Sequence, residues 1–97
     1  MTRVELAPEV AEDFDRIIEH LVQFASVDTS ARINEIIQAI EVLTHNPLIG
    51  RPTTGGKREL VIGHKGRGYV ALYRFVDKID TVFVLAVRSQ REAGYAR

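Results

Sequence analysis

The apolar positions of this chain follow two different periods, one in each half of the sequence. Between Val10 and Leu43, apolar residues recur three and four positions apart, which is the spacing of an amphipathic helix. Between Arg58 and Val87, they alternate with polar residues or form runs rich in β-branched and aromatic side chains, as strands do. The pattern predicts helices in the first half of the chain and strands in the second.

The helical half divides into two helices. Pro8 begins the first, because a proline at the first helical position loses no hydrogen bond, and its apolar face ends near Ala25. A polar residue within 28–30 caps the second helix. Asn46-Pro47 ends it, because the residue before a proline resists the α conformation. The short link predicts an antiparallel helical hairpin. The apolar faces comprise Val10, Phe14, Ile17, Ile18, Leu21 and Val22, and then Ile33, Ile36, Ile37, Ile40 and Leu43.

Four segments predict strands, one before the helices and three after a loop at 47–56. Consecutive strands joined by short connections pair antiparallel. The order β-α-α-β-β-β predicts an α+β fold, an antiparallel sheet with the two-helix hairpin packed on one face. The free face of the sheet is then the place to expect a ligand surface. The predicted strands are 4–6, 58–62, 69–76 and 81–87.

Composition narrows the class of protein further. A chain of 97 residues forms one domain, spanning 1–97. The absence of cysteine excludes disulfides and thiolate metal sites. His20, His45 and His64 lack the spacing of metal ligands, so we expect no metal and no cofactor. No secretory segment or membrane-spanning run is recognisable, so we expect a cytoplasmic protein without membrane contact.

The net charge of zero conceals an asymmetry between the two halves. Residues 1–50 carry three basic and nine acidic side chains, a net charge of −6, whereas residues 51–97 carry ten basic and four acidic ones, a net charge of +6. This asymmetry indicates a polyanionic or acidic partner for the basic half. The alternative is that the helices collect surface glutamates and the strands collect arginines, without any binding role.

Four stretches, taken in this order, give the chain a resemblance to the RelE/ParE superfamily of toxins, and the likeness runs from Val4 to about Tyr95. The resemblance implies the toxin of a type II toxin–antitoxin, or plasmid stabilisation, system. Such a toxin inhibits growth, and a cognate antitoxin neutralises it in a hetero-oligomer. The stretches are Ile49-Gly50-Arg51-Pro52, Arg58-Glu59-Leu60-Val61, Tyr69-Val70-Ala71-Leu72-Tyr73-Arg74 and Val84-Leu85-Ala86-Val87-Arg88-Ser89-Gln90-Arg91.

The superfamily divides by target, and this chain resembles the ParE-like branch more closely. RelE-like members cut mRNA on the ribosome, whereas ParE-like members poison DNA gyrase. Ser89 stands where many relatives have a histidine after the last-strand arginine, and serine cannot relay protons near neutral pH. The sequence pI of about 6.8 also differs from the strongly basic character expected of ribosome-directed toxins. A RelE-like mRNA endoribonuclease and a non-toxic descendant that only binds antitoxin remain as alternatives.

The resemblance also implies functional residues. Metal-independent RNA cleavage needs a base, a cation beside the phosphate and an acid. Each candidate also has a structural alternative: Arg58 and Arg74, for example, would lie on the solvent face of strands and pair with Glu59 or Asp77. Phe24 and Val27 are candidate antitoxin anchors, as apolar residues on the exposed side of the helical hairpin. The catalytic candidates of a nuclease are Arg58, Arg88, Arg91 and Tyr95; the candidates for binding nucleic acid or another target are Lys57, Lys65, Arg67 and Arg74.

Overall fold

The structure is a computed structural model, and it describes residues 1–24, 28–63 and 68–96. Two helices and five strands form its framework, in the order β-α-α-β-β-β-β. The structure adds one short strand to the predicted order, and this strand lies in the predicted loop at 47–56. The elements are β1 (Arg3–Leu6), α1 (Glu9–Phe24), α2 (Thr29–Glu41), β2 (Arg51–Pro52), β3 (Arg58–Ile62), β4 (Tyr69–Val76) and β5 (Thr81–Ser89).

The helices follow the predicted apolar periodicity. Asp28 caps α2 and accepts a hydrogen bond of 3.0 Å from the Ser30 amide. A 3-10 turn, Val42–Thr44, follows α2 directly and brings Leu43 into the core. The predicted apolar faces of the helices include more residues than the structure buries. The buried members are Val10, Ile17, Leu21, Ile36, Ile40 and Leu43, whereas Ile18, Val22 and Ile37 are exposed.

The sheet has the strand order β1-β5-β4-β3-β2. The predicted antiparallel pairing is confirmed for β3 with β4 and for β4 with β5. The first strand differs, because β1 lies parallel to β5, with Val4 beside Val82. No turn joins these two strands, so no short connection imposes an antiparallel direction. The sheet is therefore mixed, with β1 as one edge and β2 as the other.

A β-bulge sets which residues of β5 face the helices. Leu72 pairs with Ala86, but the next residue of β4, Tyr73, pairs with Val84. Leu85 is therefore an extra residue in β5, and such an insertion shifts the alternation of side chains by one position. As a result, Val84 and Val87 both belong to the core beneath the helices.

The two faces of the sheet differ in character. The helices cover one face, and the core there combines aliphatic side chains with Tyr69 and Tyr73. We call the other side the open face, because neither α1 nor α2 packs on it. The register places on the open face Glu59, Val61, Val70, Leu72, Arg74, Phe83, Ala86 and Arg88.

A buried carboxylate joins α1 to β5. Asp13 lies on the apolar side of α1 and is only 1% exposed. One of its oxygens accepts the Val87 amide at 3.0 Å, and the other accepts Arg16 Nη1 at 3.0 Å. Arg16 Nη2 in turn donates to the Val87 carbonyl at 3.2 Å. Asp13 therefore fastens the helix to the strand, because its carboxylate satisfies a buried backbone donor and an arginine at once.

Replacing Asp13 with alanine should destabilise the fold. The Val87 amide would lose its acceptor, whereas Arg16 would keep Glu92, so we expect a loss of about 2–3 kcal/mol in the free energy of unfolding. Urea denaturation measures it. The matched control is Asp15→Ala, an exposed acid on the same helix, which should change stability by less than about 0.5 kcal/mol. Equal effects of the two substitutions would contradict the tethering role of Asp13.

Candidate functional site

The open face brings together two of the predicted catalytic residues, Arg88 and Tyr95. Arg88 lies near the end of β5 and pairs with Val70. Tyr95 comes from the segment after β5, residues 90–96, which we call the tail. The tail crosses to β3, where the Tyr95 hydroxyl donates to Glu59 Oε2 at 2.7 Å. These contacts define the candidate site.

The guanidinium of Arg88 is enclosed by the tail. Its Nη1 atom donates to the carbonyl oxygens of Ser89 and Glu92, both at 3.1 Å. Its Cζ atom lies 5.1 Å from the centre of the Tyr95 ring, which is the range of a cation–π contact. Its Nε atom is buried and makes no hydrogen bond within the described part of the chain. The Nη1 donors and one side of the Arg88 guanidinium are therefore engaged within the protein.

Tyr95 stays protonated because of its surroundings. Burial raises the pKa of its hydroxyl, and the hydrogen bond to Glu59 together with the charge of that carboxylate raises the pKa further. Arg88 opposes this shift without cancelling it. At neutral pH the hydroxyl is thus a hydrogen-bond donor held by a carboxylate.

Glu59 links the tail to the β2 edge. Its Oε1 atom accepts Arg51 Nε at 3.2 Å, and Arg51 Nη2 lies 3.1 Å away. The Glu59 side chain is mostly covered, whereas that of Arg51 is 62% exposed. The pair thus leaves one face of the Arg51 guanidinium available to solvent at the margin of the open face.

The tail has a second attachment, to α1. Glu92 accepts the Ser89 amide at 2.7 Å and pairs with Arg16, whose Nε lies 3.0 Å from Oε1. Burial lowers the pKa of Arg16, but hydrogen bonds and charge attraction from Asp13 and Glu92 outweigh it and raise the pKa overall. Asp13, Arg16 and Glu92 therefore form a chain of ionic contacts that runs from the core to the tail.

Two other predicted residues bind backbone carbonyls away from Arg88. Arg58 pairs with Tyr73 and faces the helix side, where its Nη1 donates to Leu48 O at 3.1 Å and to Gly50 O at 2.8 Å. Arg74 lies on the open face, and its Nη2 donates to Gly55 O at 2.8 Å. The alternative that these arginines pair with Glu59 or Asp77 is therefore wrong. Both arginines fasten the segment between α2 and β3 to the sheet.

The remaining candidates are more scattered. Lys57 is half-buried just before β3. Arg91 is exposed and lines a cavity of about 370 Å³ between α1 and the end of β5. Phe24 is 71% exposed at the end of α1, with its ring 5.1 Å from that of His20. Three candidates, Lys65, Arg67 and Val27, lie outside the described residues.

Neither a cluster of metal-ligand residues nor a membrane-spanning helix is found within residues 1–24, 28–63 and 68–96. No group of three or more histidine, cysteine, aspartate or glutamate side chains there is arranged to hold a metal ion. None of the helices in those ranges is long and apolar enough to cross a membrane.

Sequence reasoning missed the acids that organise the site. Glu59 and Tyr95 are 36 positions apart, and Arg16 and Glu92 are 76 apart, so no local pattern announces either contact. Asp13 was a different case. Its charge suits the first turn of a helix. Its spacing from Val10 and Ile17, however, places it on the apolar face of α1, and this spacing could have predicted a buried carboxylate.

Solved structures of low sequence identity share this fold. The chain is similar to a chromosomal ParDE toxin–antitoxin system from P. aeruginosa, with 19% identity, a TM-score of 0.73 and coverage of 92% of this chain and 96% of that one. It is also similar to the intact RelBE complex of E. coli, with 13% identity, a TM-score of 0.61 and coverage of 90% and 94%. The isolated E. coli RelE toxin gives 11% identity, a TM-score of 0.63 and coverage of 96% and 88%.

Sequence comparison assigns the family. No curated protein matches the chain. Residues 4–94, nearly the whole sequence, match the family described as the ParE toxin of the type II toxin–antitoxin system parDE. This agrees with the branch that the sequence motifs resemble and with the ParDE structure that shares the fold. The chain belongs to the ParE toxin family of type II toxin–antitoxin systems.

Proposed function

We propose that this toxin arrests growth by inhibiting DNA gyrase through surface contacts, without catalysis of its own, and that a cognate antitoxin silences it in a hetero-oligomer. The observation that carries the proposal is that the candidate nuclease residues make their contacts within the protein itself. Tyr95 is bound by Glu59, Arg88 is enclosed by the tail, and Arg58 holds backbone carbonyls on the other face of the sheet.

A nuclease would need these groups free to meet a phosphate. General acid–base catalysis needs a group with a pKa near the working pH, and the raised pKa of Tyr95 moves its hydroxyl away from that range. Ser89, the residue after Arg88, offers no proton relay near neutral pH. An arginine that stabilises a phosphorane directs its donors at the substrate, but the carbonyl oxygens of Ser89 and Glu92 already accept from Arg88 Nη1. These features favour a binding surface.

The cations that remain exposed suit a protein target. Arg51 is exposed on the edge strand β2, Arg74 is exposed on β4, and Arg91 is exposed in the tail. Exposed charges at a rim steer the approach of an oppositely charged partner and fix its orientation. The same charges would also attract RNA, and the activity assays described below distinguish the two targets.

For the antitoxin we propose the end of the helical hairpin as one contact. Phe24 is a large apolar side chain left 71% exposed at the last position of α1. Aromatic side chains are common anchors in protein interfaces, and amphipathic helices commonly dock into apolar grooves. The solved ParDE and RelBE structures that share the fold are toxin–antitoxin systems, which supports a partner of this kind.

The activity of the purified toxin is tested in two assays, one with DNA gyrase and one with mRNA on ribosomes. We expect inhibition of supercoiling by purified DNA gyrase and intact mRNA on translating ribosomes. Tyr95→Phe should leave gyrase inhibition almost unchanged, because the ring over Arg88 is retained. If instead the toxin cuts mRNA and Tyr95→Phe lowers cleavage by about 10²-fold or more, Tyr95 is an acid–base catalyst and the RelE-like alternative is correct.

The protonation of Tyr95 is tested by alkaline titration. The chain has three tyrosines, and the pKa of each is raised, mainly by burial. We expect tyrosinate absorbance in the folded protein only above pH about 10, the ordinary tyrosine value. Because folding raises these pKa values, the stability they contribute is complete below pH about 10 and declines as the pH rises beyond it. A tyrosine that titrates near or below pH 10 in the folded protein, and whose titration is absent in Tyr95→Phe, would be Tyr95 itself and would contradict the enclosed site.

The antitoxin contact is tested with Phe24→Asp. A charge at this position should weaken binding of the antitoxin encoded beside the toxin by about tenfold or more, measured by calorimetry. The melting temperature should not change, because Phe24 is mostly exposed. Ile79→Asp, at a 60% exposed position in the turn between β4 and β5, is the control and should bind normally. Unchanged affinity in Phe24→Asp would remove Phe24 from the interface.

A further inference from the structure

Two neighbouring apolar side chains protrude from the loop between α2 and β2. Leu48 is 58% exposed and Ile49 is 57% exposed. Scattered single apolar residues on a surface need no explanation. Two adjacent apolar residues on a loop that is fixed to the core do need an explanation, because the loop cannot move to cover them. We call Leu48 and Ile49 the apolar tip.

Tyr73 holds the loop on both sides of the apolar tip. This tyrosine is fully buried; its hydroxyl donates to the Pro47 carbonyl and accepts the Gly50 amide, both at 2.8 Å. Burial raises the pKa of Tyr73, so the hydroxyl keeps the proton that it donates to Pro47. One buried hydroxyl therefore ties the residue before the tip to the residue after it.

Arg58 and Gly50 complete the fixation. Arg58 Nη1 donates to the carbonyl of Leu48 at 3.1 Å and to that of Gly50 at 2.8 Å. Gly50 packs so closely on Tyr73 that a Cβ there would lie 2.6 Å from the ring atom Cε1. No side chain fits at that distance without movement of the loop or the ring. The backbone of the tip is thus preorganised, which lowers the entropy lost when it binds a partner.

Several cations lie on the segment that follows the tip and on the strand that holds this segment. Arg51 follows the tip after Gly50, and its side chain is 62% exposed. Arg74 holds Gly55 of the same connection, and Lys57 precedes β3. The nearby acid on this edge, Glu59, is already bound to Arg51 and to Tyr95. The surroundings of the tip are therefore positive, and they match a partner whose contact surface is acidic.

We propose that the apolar tip is the element with which this toxin engages its protein target, by insertion into an apolar cleft that has an acidic rim. The proposal rests on the gyrase inhibition proposed above and names the surface that carries it. A protein cleft can bury both side chains, whereas the phosphates of an RNA backbone offer the tip nothing apolar to contact. Few residues carry most of the energy of an interface, and rigid apolar side chains at its centre are typical of them.

The position of the tip separates it from the proposed antitoxin contact. α1 ends at Phe24 and α2 begins at Thr29, five positions later in the sequence. The tip follows the far end of α2, beyond the 3-10 turn Val42–Thr44, so it lies at the opposite end of the hairpin from Phe24. The target and the antitoxin would therefore use different ends of the toxin.

The test is a double substitution, Leu48→Ser with Ile49→Ser, assayed for inhibition of supercoiling by purified DNA gyrase. We expect the concentration for half-inhibition to rise by about tenfold or more, because two apolar contacts are lost. The melting temperature should not change, since both side chains are exposed. Val22→Ser, at a 71% exposed position on α1, is the matched control and should inhibit normally. Leu48→Ile with Ile49→Leu keeps the tip apolar and should also inhibit normally.

The outcomes distinguish the two proposals. If the wild-type toxin inhibits gyrase and the double serine variant inhibits equally well, the apolar tip is not the docking element, although gyrase inhibition stands. If the wild-type toxin does not inhibit gyrase, both proposals are wrong. A loss confined to the double serine variant, with normal inhibition by Val22→Ser and by the apolar exchange, establishes the tip as the docking element.

Discussion

The carboxylate of Asp13 connects the parts of this protein that the sequence keeps far apart. It lies in the core, accepts the Val87 amide and pairs with Arg16, so the first helix and the last strand are fixed to each other. Arg16 then reaches Glu92, which holds the tail. With the tail fixed there, the ring of Tyr95 can lie over Arg88. The geometry of the open face thus depends on a charge buried beneath the opposite face.

The result is a toxin whose arginines are divided between internal and external roles. Arg58 and Arg88 bind backbone carbonyls, so they shape the β2 edge and the tail. Arg51 and Arg91 remain exposed, and they give the basic half of the chain its outward charge. A surface built in this way suits recognition, because its charges are positioned in advance and its apolar tip is held rigid by Tyr73.

Much of the fold was predictable because its determinants are local. Apolar periodicity predicts both helices, and short connections predict the antiparallel pairing of β3, β4 and β5. The parallel pairing of Val4 with Val82 was not predictable, because no turn links the strands and register is a property of the packed sheet. The bulge at Leu85 arises in the same way. Within the site, the family pattern brought Arg88 and Tyr95 to attention, but it could not reveal that Glu59 holds the tyrosine.

The enclosure of Arg88 by the tail is tested most directly by nitrogen-15 NMR of its guanidinium. If the ring of Tyr95 lies over the guanidinium, the Arg88 Hε proton should be shifted upfield by the ring current and should exchange slowly with water. Tyr95→Ala should abolish both effects. A wild-type Arg88 Hε with the shift and exchange rate of a free arginine would show that the tail is open, and the catalytic candidates would then be available to a substrate.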